Sequence, residues 1–532
     1  MKKTLAIILT LAMLLGLVGA AMAEDGWITL KVEAFDRDIA GFNVSDCWQL
    51  HYAQEHFGDP NKIKLEFVPV PRWTEGEKLG LALGTGSEPN LCCTYDGALV
   101  NKAIEDEAIY QLDELLEEYG QNLIAFLGRD SLLPFGQVDT DEDGKAEQWF
   151  IPARRLEVEN VGNFIRADWL AALNMEKPTT IEEFEAYLRA AKEANLGGTQ
   201  TIPMQLDLYE PNPLYNVNRF TDAFIDFSQV TEEDWIAYAA NHEMLPGAKE
   251  GFRWLNKLYH DGIIPETFAL TDNDKANDTA LIMGYNGFFS QQPDQPWRTD
   301  KNYQIELEKN VEGGHWVTVN CFRNDSLGKY LHDVYAANGL SIIIPTKSTT
   351  EEQAIAAIKY LDWMAQEENM FAMQNGIEGI NYLSVTAEGI PTDVQSADAV
   401  PDENKMHAGD IVFISNGLYY GSDERNAAGR ALKYDAKFTQ ELIQSYVDAG
   451  TDAWTQISFS GTIEAENDFL TMVRSKQGEF LSKVLTCKAE DFDAVYDACI
   501  EDIKAVGASD IIEAYREAYK AGTYRGTFPG NK

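Results

Sequence analysis

The chain has 532 residues, which is too long for one compact hydrophobic core, so two lobes or domains are expected. Its hydrophobic content of 45% and aromatic content of 11% are those of a globular protein and exclude wholesale disorder. A formal net charge of −43 disfavours nucleic acid and anionic membranes as partners, and we attribute it to solubility outside the cell.

The N-terminus has the organisation of a secretory signal peptide. Lys2 and Lys3 precede an apolar segment from Leu5 to Val18, and Ala21-Met22-Ala23 is a small-x-small cleavage site. The apolar segment is shorter than the ~20 residues that a membrane-spanning helix needs. We expect cleavage after Ala23 and export to the periplasm or the extracellular space, without a lipid anchor because no cysteine lies at the cleavage site.

The next hundred residues predict a parallel sheet. Apolar residues alternate with polar ones from Ile28 to Ala34 and again from Ile63 to Phe67, which is the period of a strand, and a helix from about Asp46 to His56 lies between them. Strand, helix and strand in this order form a βαβ unit. A helix from about Thr74 to Leu83 and a short buried strand from Leu91 to Thr94 follow.

Two polar pairs are candidates for ligand contacts. Tyr95 and Asp96 lie just beyond the carboxyl end of the third strand, where open α/β sheets bind ligands, and they offer a stacking ring and an acceptor. Arg154 and Arg155 follow an aromatic and apolar segment at a predicted change of chain direction. One of them can offer a fork of donors to hydroxyls or a carboxylate. A pair of solvated surface arginines is the alternative.

An acidic turn has part of a calcium-binding pattern. Its sequence is D-x-D-x-D-G, the opening of a calcium loop, but Phe150 stands at the twelfth position, where a bidentate glutamate normally closes the site. The ligand set would comprise Asp139, Asp141, Asp143, the backbone carbonyl of Lys145, and Glu147. A structural Ca²⁺ and a bare acidic turn both stay open, and no cofactor is required.

The six cysteines match no metal-binding template. We expect most to be buried thiols, and Cys487 with Cys499 is the pair to test for a disulfide.

Several segments carry a resemblance to a known family through their order and spacing along the chain. They are Lys78 to Asn90, Ile109 to Tyr119, Arg166 to Leu170, the capping boxes at Thr180 and Thr350, and the motif Gly376-Ile377-Glu378-Gly379. Together they are similar to the extracellular solute-binding proteins of ABC importers, family 1 of carbohydrate-binding type. The larger alginate-binding and lipoprotein-like members are the ones that this chain resembles.

The resemblance implies an α/β, two-lobed periplasmic-binding-protein-like fold of type II. Each lobe is expected to contain a parallel-type sheet flanked by helices, with a hinge between the lobes. Lobe one would comprise residues 24–156 and 340–394, and lobe two residues 157–339 and 395–532. The chain is expected to cross the hinge near 157–163 and near 338–342.

The resemblance also implies further ligand contacts. Sugar-binding relatives place an aromatic residue after a strand, where this chain has Phe288 and Phe289, and we expect one of these two to contact the ligand. Trp297 follows a loop rich in glutamine and proline. Glu378 and Tyr382 are carried over from the Gly-Ile-Glu-Gly motif alone.

The resulting hypothesis is a monomeric receptor that captures a small-molecule ligand, with an oligosaccharide favoured, and delivers it to the membrane permease of an ABC importer. It is expected to perform no covalent chemistry and to bind no nucleic acid. A secreted glycan-active enzyme, either a glycosidase or a lyase, is one alternative, because a glycosidase needs only a pair of carboxylates. A peptide-binding solute receptor is another.

Overall fold

The computed structural model describes most of the chain. The described residues are 26–38, 42–140, 144–206, 212–270, 276–298, 303–394, 404, 406, 411–432 and 434–531. The chain divides into two compact units, of which unit 1 comprises Met1–Leu156 with Asn338–Asn426 and unit 2 comprises Glu157–Ala337 with Ala427–Lys532.

The chain passes between the two units three times, which is the number that the predicted lobe boundaries imply, although hinge segments were predicted only for the first two crossings. Residues from 395 onwards were assigned to lobe two, but the described residues 411–426 belong to unit 1. The reason is strand pairing, because Ser415–Asn416 pairs in parallel with Arg154 and Arg155 of unit 1. The helix Asp423–Leu432 contains the third crossing.

Unit 1 is built on a mixed sheet. The strands Ile28–Asp36 and Ile63–Pro71 pair in parallel along their whole length. A parallel bridge between Val32 and Leu91 brings the strand Cys92–Thr94 to the other side of the first strand. The predicted βαβ unit and its parallel pairing are therefore confirmed.

The sheet continues through a strand of opposite direction. Asn338–Ile343 pairs antiparallel with Cys92–Thr94 on one side and with Ile151–Arg155 on the other. Two reversals restore the first direction, so Ile151–Arg155 and its parallel neighbour Ser415–Asn416 run the same way as Ile28–Asp36. The carboxyl ends of these strands therefore lie along one edge of unit 1.

Apolar alternation explains which faces are buried. Leu30 and Val32 of the first strand are fully buried, and Leu65 and Phe67 of the second are nearly so. The helix Glu351–Met364 packs Ala354, Ile358 and Leu361 into the same core. It begins with the predicted capping box, in which the side chains of Thr350 and Gln353 each accept from the other's backbone N–H.

The second predicted capping box is only half formed. The Thr180 hydroxyl accepts from the backbone N–H of Glu183, as expected at the start of the helix Ile181–Glu193. The Glu183 carboxylate bonds instead to the backbone N–H and hydroxyl of Thr179, at 2.8 and 2.9 Å. These bonds lower the pKa of Glu183.

Unit 2 contains an antiparallel sheet, and the prediction of a parallel-type sheet in this lobe is wrong. Gly162–Arg166 is the central strand, and both Phe288–Gln291 and Trp316–Thr318 pair with it antiparallel. Arg166 at the end of the central strand is fully buried. It donates to both carboxylate oxygens of Asp168, which compensates the burial of its charge.

The helices of unit 1 are Trp48–Ala53, Asp59–Asn61, Glu75–Thr85, Gly97–Glu105, Asp113–Tyr119, Gln121–Leu127, Glu351–Met364 and Glu367–Asn375. The helices of unit 2 are Ala167–Leu173, Ile181–Glu193, Tyr215–Thr221, Glu232–Ala237, Ala248–His260, Ala276–Ile282, Tyr303–Asn310, Thr439–Gly450, Glu464–Thr486, Phe492–Ile503 and Ser509–Ala521. The remaining strand pairs are Gln137–Val138 with Glu147–Gln148, Arg323–Asn324 with Lys329–Tyr330, Asp333–Val334 with Trp454–Thr455, Tyr382–Val385 with Pro391–Val394, and Ser458–Phe459 with Tyr524–Arg525. None of the helices that the structure describes combines the length and the apolar character needed to cross a membrane.

All six cysteines are free thiols. These include Cys487 and Cys499, the pair selected for a disulfide test, of which Cys499 is buried and Cys487 is partly buried. Burial raises the pKa of the Cys47 thiol to about 11 and that of Cys321 well above its usual value. Such thiols stay protonated at neutral pH and are poor nucleophiles.

Candidate functional site

The candidate site lies in unit 1, where three parallel strands end at the same edge. The strands end at Asp36, Pro71 and Thr94. The residues that follow directly are Arg37, Arg72, Trp73, Tyr95 and Asp96. Because the carboxyl ends of strands are where open α/β sheets bind ligands, this edge is the natural place for a binding surface.

Four residues form what we call the arginine-aromatic cluster: Phe35, Arg72, Trp73 and Tyr95. The guanidinium carbon of Arg72 lies 4.4 Å from the ring centroid of Tyr95, 5.0 Å from that of Phe35 and 5.3 Å from that of Trp73. All three distances are within the range of cation–π attraction. The rings of Phe35 and Tyr95 are stacked, with an interplanar angle of 25°. One cation thus holds three aromatic rings together.

The cluster is open to solvent on the side of Trp73. This side chain is 79% exposed and Tyr95 is 40% exposed, whereas Phe35 beneath them is buried. Arg37 approaches the Trp73 ring, with its guanidinium carbon 5.7 Å from the centroid. Trp73 is the most exposed large hydrophobic side chain among the described residues, and with Tyr95 it makes an exposed aromatic surface of the kind that contacts ligands or partners.

Two hydrogen bonds hold Tyr95 in place. Its backbone N–H donates to Oε1 of Glu75 at 3.0 Å, and its hydroxyl accepts from Nδ2 of Asn416. Asn416 is the register partner of Arg155 in the neighbouring strand. Two predicted ligand contacts, Tyr95 and Arg155, are thereby brought into one surface through a residue that the sequence reasoning missed.

Asp96 has a structural task. Its Oδ1 accepts from the backbone N–H of Leu99 at 3.0 Å and caps the helix Gly97–Glu105. One oxygen of this carboxylate is therefore engaged in the start of the helix that follows the strand.

Arg154 and Arg155 have different surroundings. The Arg154 guanidinium donates to the carbonyl of Phe126 and lies 4.8 Å from that residue's ring centroid, so it fastens the helix Gln121–Leu127 to the sheet. Nε of Arg155 donates to the carbonyl of Asn338 at 3.4 Å. Neither arginine is a simple solvated surface charge, because both bond to backbone carbonyls of unit 1.

The three aromatic residues predicted in unit 2 lie in its core. Phe288 is fully buried and packs edge-on against Phe184, 4.8 Å between centroids. Phe289 is 2% exposed and stacks on Phe164, and Trp297 is 4% exposed and meets the same ring edge-on. We expected one of the two phenylalanines to contact a ligand, but both serve the packing of unit 2.

Glu378 and Tyr382 belong to a tight turn of unit 1. The backbone N–H of Gly379 donates to the carbonyl of Tyr382, and the Tyr382 ring is buried. Burial raises the pKa of Tyr382 above its usual value. Glu378 is exposed and forms no bond with the cluster residues described above.

The acidic turn is described only in part, since Asp141 and Asp143 lie outside the described residues. Asp139 accepts from the backbone N–H of Gly144 at 2.9 Å, and Glu147 bonds to Thr140 at 3.3 Å or more. Within the described ranges no group of three or more His, Cys, Asp or Glu residues is placed to hold a metal ion. The calcium site stays a prediction.

Glu33 lies buried behind the cluster, 2% exposed, in the central part of the first strand. Its Oε2 accepts from the backbone N–H of Cys93 at 3.4 Å, and its Oε1 has no partner among the described residues. Burial, reinforced by the charge of Glu75, raises the pKa of Glu33 to about 8. This carboxyl is therefore protonated at neutral pH and contributes no negative charge beneath the cluster.

Comparison with known proteins identifies the family of this chain. The family model for the bacterial extracellular solute-binding protein matches residues 52–402, which is well over half of the chain. The chain therefore belongs to the family of bacterial extracellular solute-binding proteins, and the resemblance drawn from its sequence motifs is confirmed.

Individual relatives are distant. The lipoprotein LipO of Bacillus subtilis is 22% identical over 329 residues, which are 60% of this chain and 61% of that protein. The alignment thus spans less than two thirds of the relative's length.

Three solved structures share the fold. They are the alginate-binding protein AlgQ2 solved without calcium ion (TM-score 0.61, 17% identity, 94% of this chain and 99% of that one), an HMO-binding ABC-transporter-associated solute-binding protein of Bifidobacterium longum infantis (0.61, 14%, 94% and 100%), and FusA of Streptococcus pneumoniae in complex with kestose (0.58, 14%, 93% and 99%). They confirm the two-lobed α/β fold of solute-binding proteins that the sequence predicts.

Glu33 makes stability depend on pH. Its pKa rises from an ordinary 4.5 to about 8 in the fold, so the folded state binds the proton more tightly than the unfolded state. The stabilisation that Glu33 contributes is fully present below pH 4.5. It decreases as the pH rises towards 8, by up to about 1.4 kcal/mol per pH unit.

The variant Glu33→Gln removes this dependence, because a neutral amide can accept the same backbone bond. We expect the difference in the free energy of unfolding, variant minus unchanged chain, to increase from pH 5 to pH 8. Urea denaturation at each pH measures it. The exposed Glu77→Gln serves as control and should show no such trend. Parallel pH profiles for Glu33→Gln and the unchanged chain would contradict the assignment.

The calcium prediction can be tested by thermal unfolding. Added Ca²⁺ is expected to raise the melting temperature, because an ion that binds only the folded state stabilises it by mass action. Asp141→Ala should abolish the shift, whereas Glu306→Gln, in an exposed ion pair of unit 2, should keep it. An unchanged melting temperature in millimolar Ca²⁺ would reject the metal and leave an acidic turn.

Proposed function

We propose that this protein is an exported receptor that binds an oligosaccharide at the arginine-aromatic cluster of unit 1 and delivers it to the permease of an ABC importer. The observation that carries the proposal is the exposed indole of Trp73 at the carboxyl ends of parallel strands, with Tyr95 beside it. A ring face packs well against the C–H face of a sugar, because it is apolar and needs no hydrogen-bond partner.

The polar groups around the rings suit the same ligand. Sugar hydroxyls both donate and accept, and the surface offers the guanidinium donors of Arg72 together with the Tyr95 hydroxyl. Small-molecule sites generally combine apolar or aromatic walls with a few placed polar groups. Peptide ligands would be expected to use sheet edges or deeper apolar pockets for their side chains.

The family and the similar structures support this direction. The family consists of solute-binding proteins, and the structures named above include an alginate-binding protein and a protein in complex with kestose. We propose that this chain likewise binds without turnover, acts as a monomer and is released by cleavage after Ala23. The hinge closure that the resemblance implies remains a prediction of this proposal.

Trp73→Ala is expected to weaken oligosaccharide binding about tenfold or more, because the variant loses both the stacking attraction and the apolar area of the indole. Isothermal titration with the strongest ligand from a panel of mono- and oligosaccharides and peptides measures the change. The control is Leu81→Ala, since Leu81 is also exposed, at 65%, and lies on the neighbouring helix Glu75–Thr85. Its affinity should stay within about twofold.

Two results would count against the proposal. Binding of peptides but of no saccharide in the panel would reassign the receptor to peptides. Saccharide binding that is equal in Trp73→Ala and the unchanged chain would remove the cluster as the site.

A further inference from the structure

The feature that the proposed function leaves unexplained is the charge of Arg72. Its guanidinium has no hydrogen bond and no ion pair with any described residue, and its Nε is buried without a partner. The chain carries 86 acidic and only 43 basic residues, so carboxylates are plentiful. Among the described residues Arg154 also lacks a carboxylate partner, but it bonds to a backbone carbonyl, whereas Arg72 does neither. Other arginines pair with carboxylates, among them Arg129 with Glu117, Arg189 with Asp261, Arg253 with Asp493, Arg298 with Asp294, and Arg516 with Glu233.

The acidic residues next to the cluster are engaged elsewhere. Oδ1 of Asp36 accepts from the backbone N–H of Asp38 at 2.9 Å, and Oε1 of Glu75 accepts from that of Tyr95 at 3.0 Å. Asp96 caps its helix, and Glu33 is protonated at neutral pH because its pKa is raised to about 8. Each nearby carboxyl is thus bonded to the backbone or neutral, and none is paired with Arg72.

The aromatic rings position the guanidinium without consuming its donors. Cation–π attraction acts on the face of each ring and leaves the N–H groups available for hydrogen bonds. The three rings of Phe35, Trp73 and Tyr95 therefore hold Arg72 at the site edge as a pre-positioned cation with a planar fork of donors. That fork matches the two oxygens of a carboxylate in bidentate geometry.

We infer that the ligand of this receptor is an acidic oligosaccharide, in which a sugar ring packs on Trp73 and the carboxylate of a uronic acid residue pairs with Arg72. The inference rests on the proposed function and specifies its substrate class. The net charge of −43 works against anions in general, so an anionic ligand needs a local cation of this kind.

The test uses matched ligands that differ in charge and otherwise only by a methyl group on each carboxyl. Trisaccharides of galacturonate, glucuronate and mannuronate are titrated into the full chain alongside their methyl esters, which keep the sugar skeleton and remove the negative charge. At least one acid is expected to bind about tenfold or more tightly than its ester, because a charge-assisted bidentate pair is lost in the ester.

Variants of Arg72 then separate charge from shape. Arg72→Gln should lower the affinity for the acid to that for the ester, whereas the affinity for the ester should change little. Arg72→Lys should recover only part of the difference, because lysine keeps the charge and loses the fork. Arg129→Gln is the control, since Arg129 is an exposed arginine of unit 1 that is already paired, and it should leave both affinities unchanged. Melting curves establish that each variant is folded.

The outcomes distinguish this inference from the proposed function. Equal affinity for acids and esters, preference for neutral oligosaccharides, or failure of every acid to bind at millimolar concentration would overturn the acidic ligand. A neutral oligosaccharide whose binding requires Trp73 would at the same time leave the sugar receptor intact. Binding of peptides alone would overturn both.

Discussion

The binding edge of unit 1 depends on the pairing of one returning strand. Asn338–Ile343 enters the unit from the other half of the chain and fills the gap between Cys92–Thr94 and Ile151–Arg155 with backbone hydrogen bonds. Without this strand the two segments would expose unpaired N–H and C=O groups, which are costly to bury. Its reversed direction lets the strands on either side run parallel to the first strand.

That common direction explains why residues far apart in sequence share a surface. Strand ends after Pro71, Thr94 and Arg155 present their following residues at one edge, and the link from Asn416 to Tyr95 joins two of them. Because the register of each strand is fixed by buried side chains on alternate positions, a shift by one residue would turn these side chains to the other face. The site is thus a consequence of how the core is packed.

Local sequence patterns were sufficient to predict the first strands and a long helix of unit 1. Alternation located the strands at Ile28–Asp36 and Ile63–Pro71, and the capping box at Thr350 located the start of a long helix. The sheet of unit 2 was harder to predict, because its antiparallel strand order is set by contacts between segments more than a hundred residues apart. Nothing in the short strand Phe288–Gln291 itself records which partner it has.

Site residues were predicted correctly only where their position directly after a strand could be seen in the sequence. Tyr95 was found because it follows a strand. Arg72 and Trp73 follow the strand on the other side of Ile28–Asp36 in the same way, so the signal was present and was missed. Asn416 could not have been found, because its role depends on pairing with Arg155 across the sheet. Phe288 and Phe289 show the opposite error, since an aromatic pair at a strand start is explained by core packing alone.

The local charge at the binding edge of unit 1 depends more on which carboxyls are buried or bonded than on the acidic composition of the chain. The chain has a net charge of −43, yet the carboxylates of Asp36 and Glu75 beside the cluster are bonded to backbone N–H groups, and Glu33 is neutral. Desolvation keeps Glu33 protonated, so the charge behind the rings is lower than the sequence indicates. A cation that is held by rings and left unpaired by its acidic neighbours retains its attraction for an anion from outside. The local environment of one side chain can therefore select a ligand of the same sign as the whole protein.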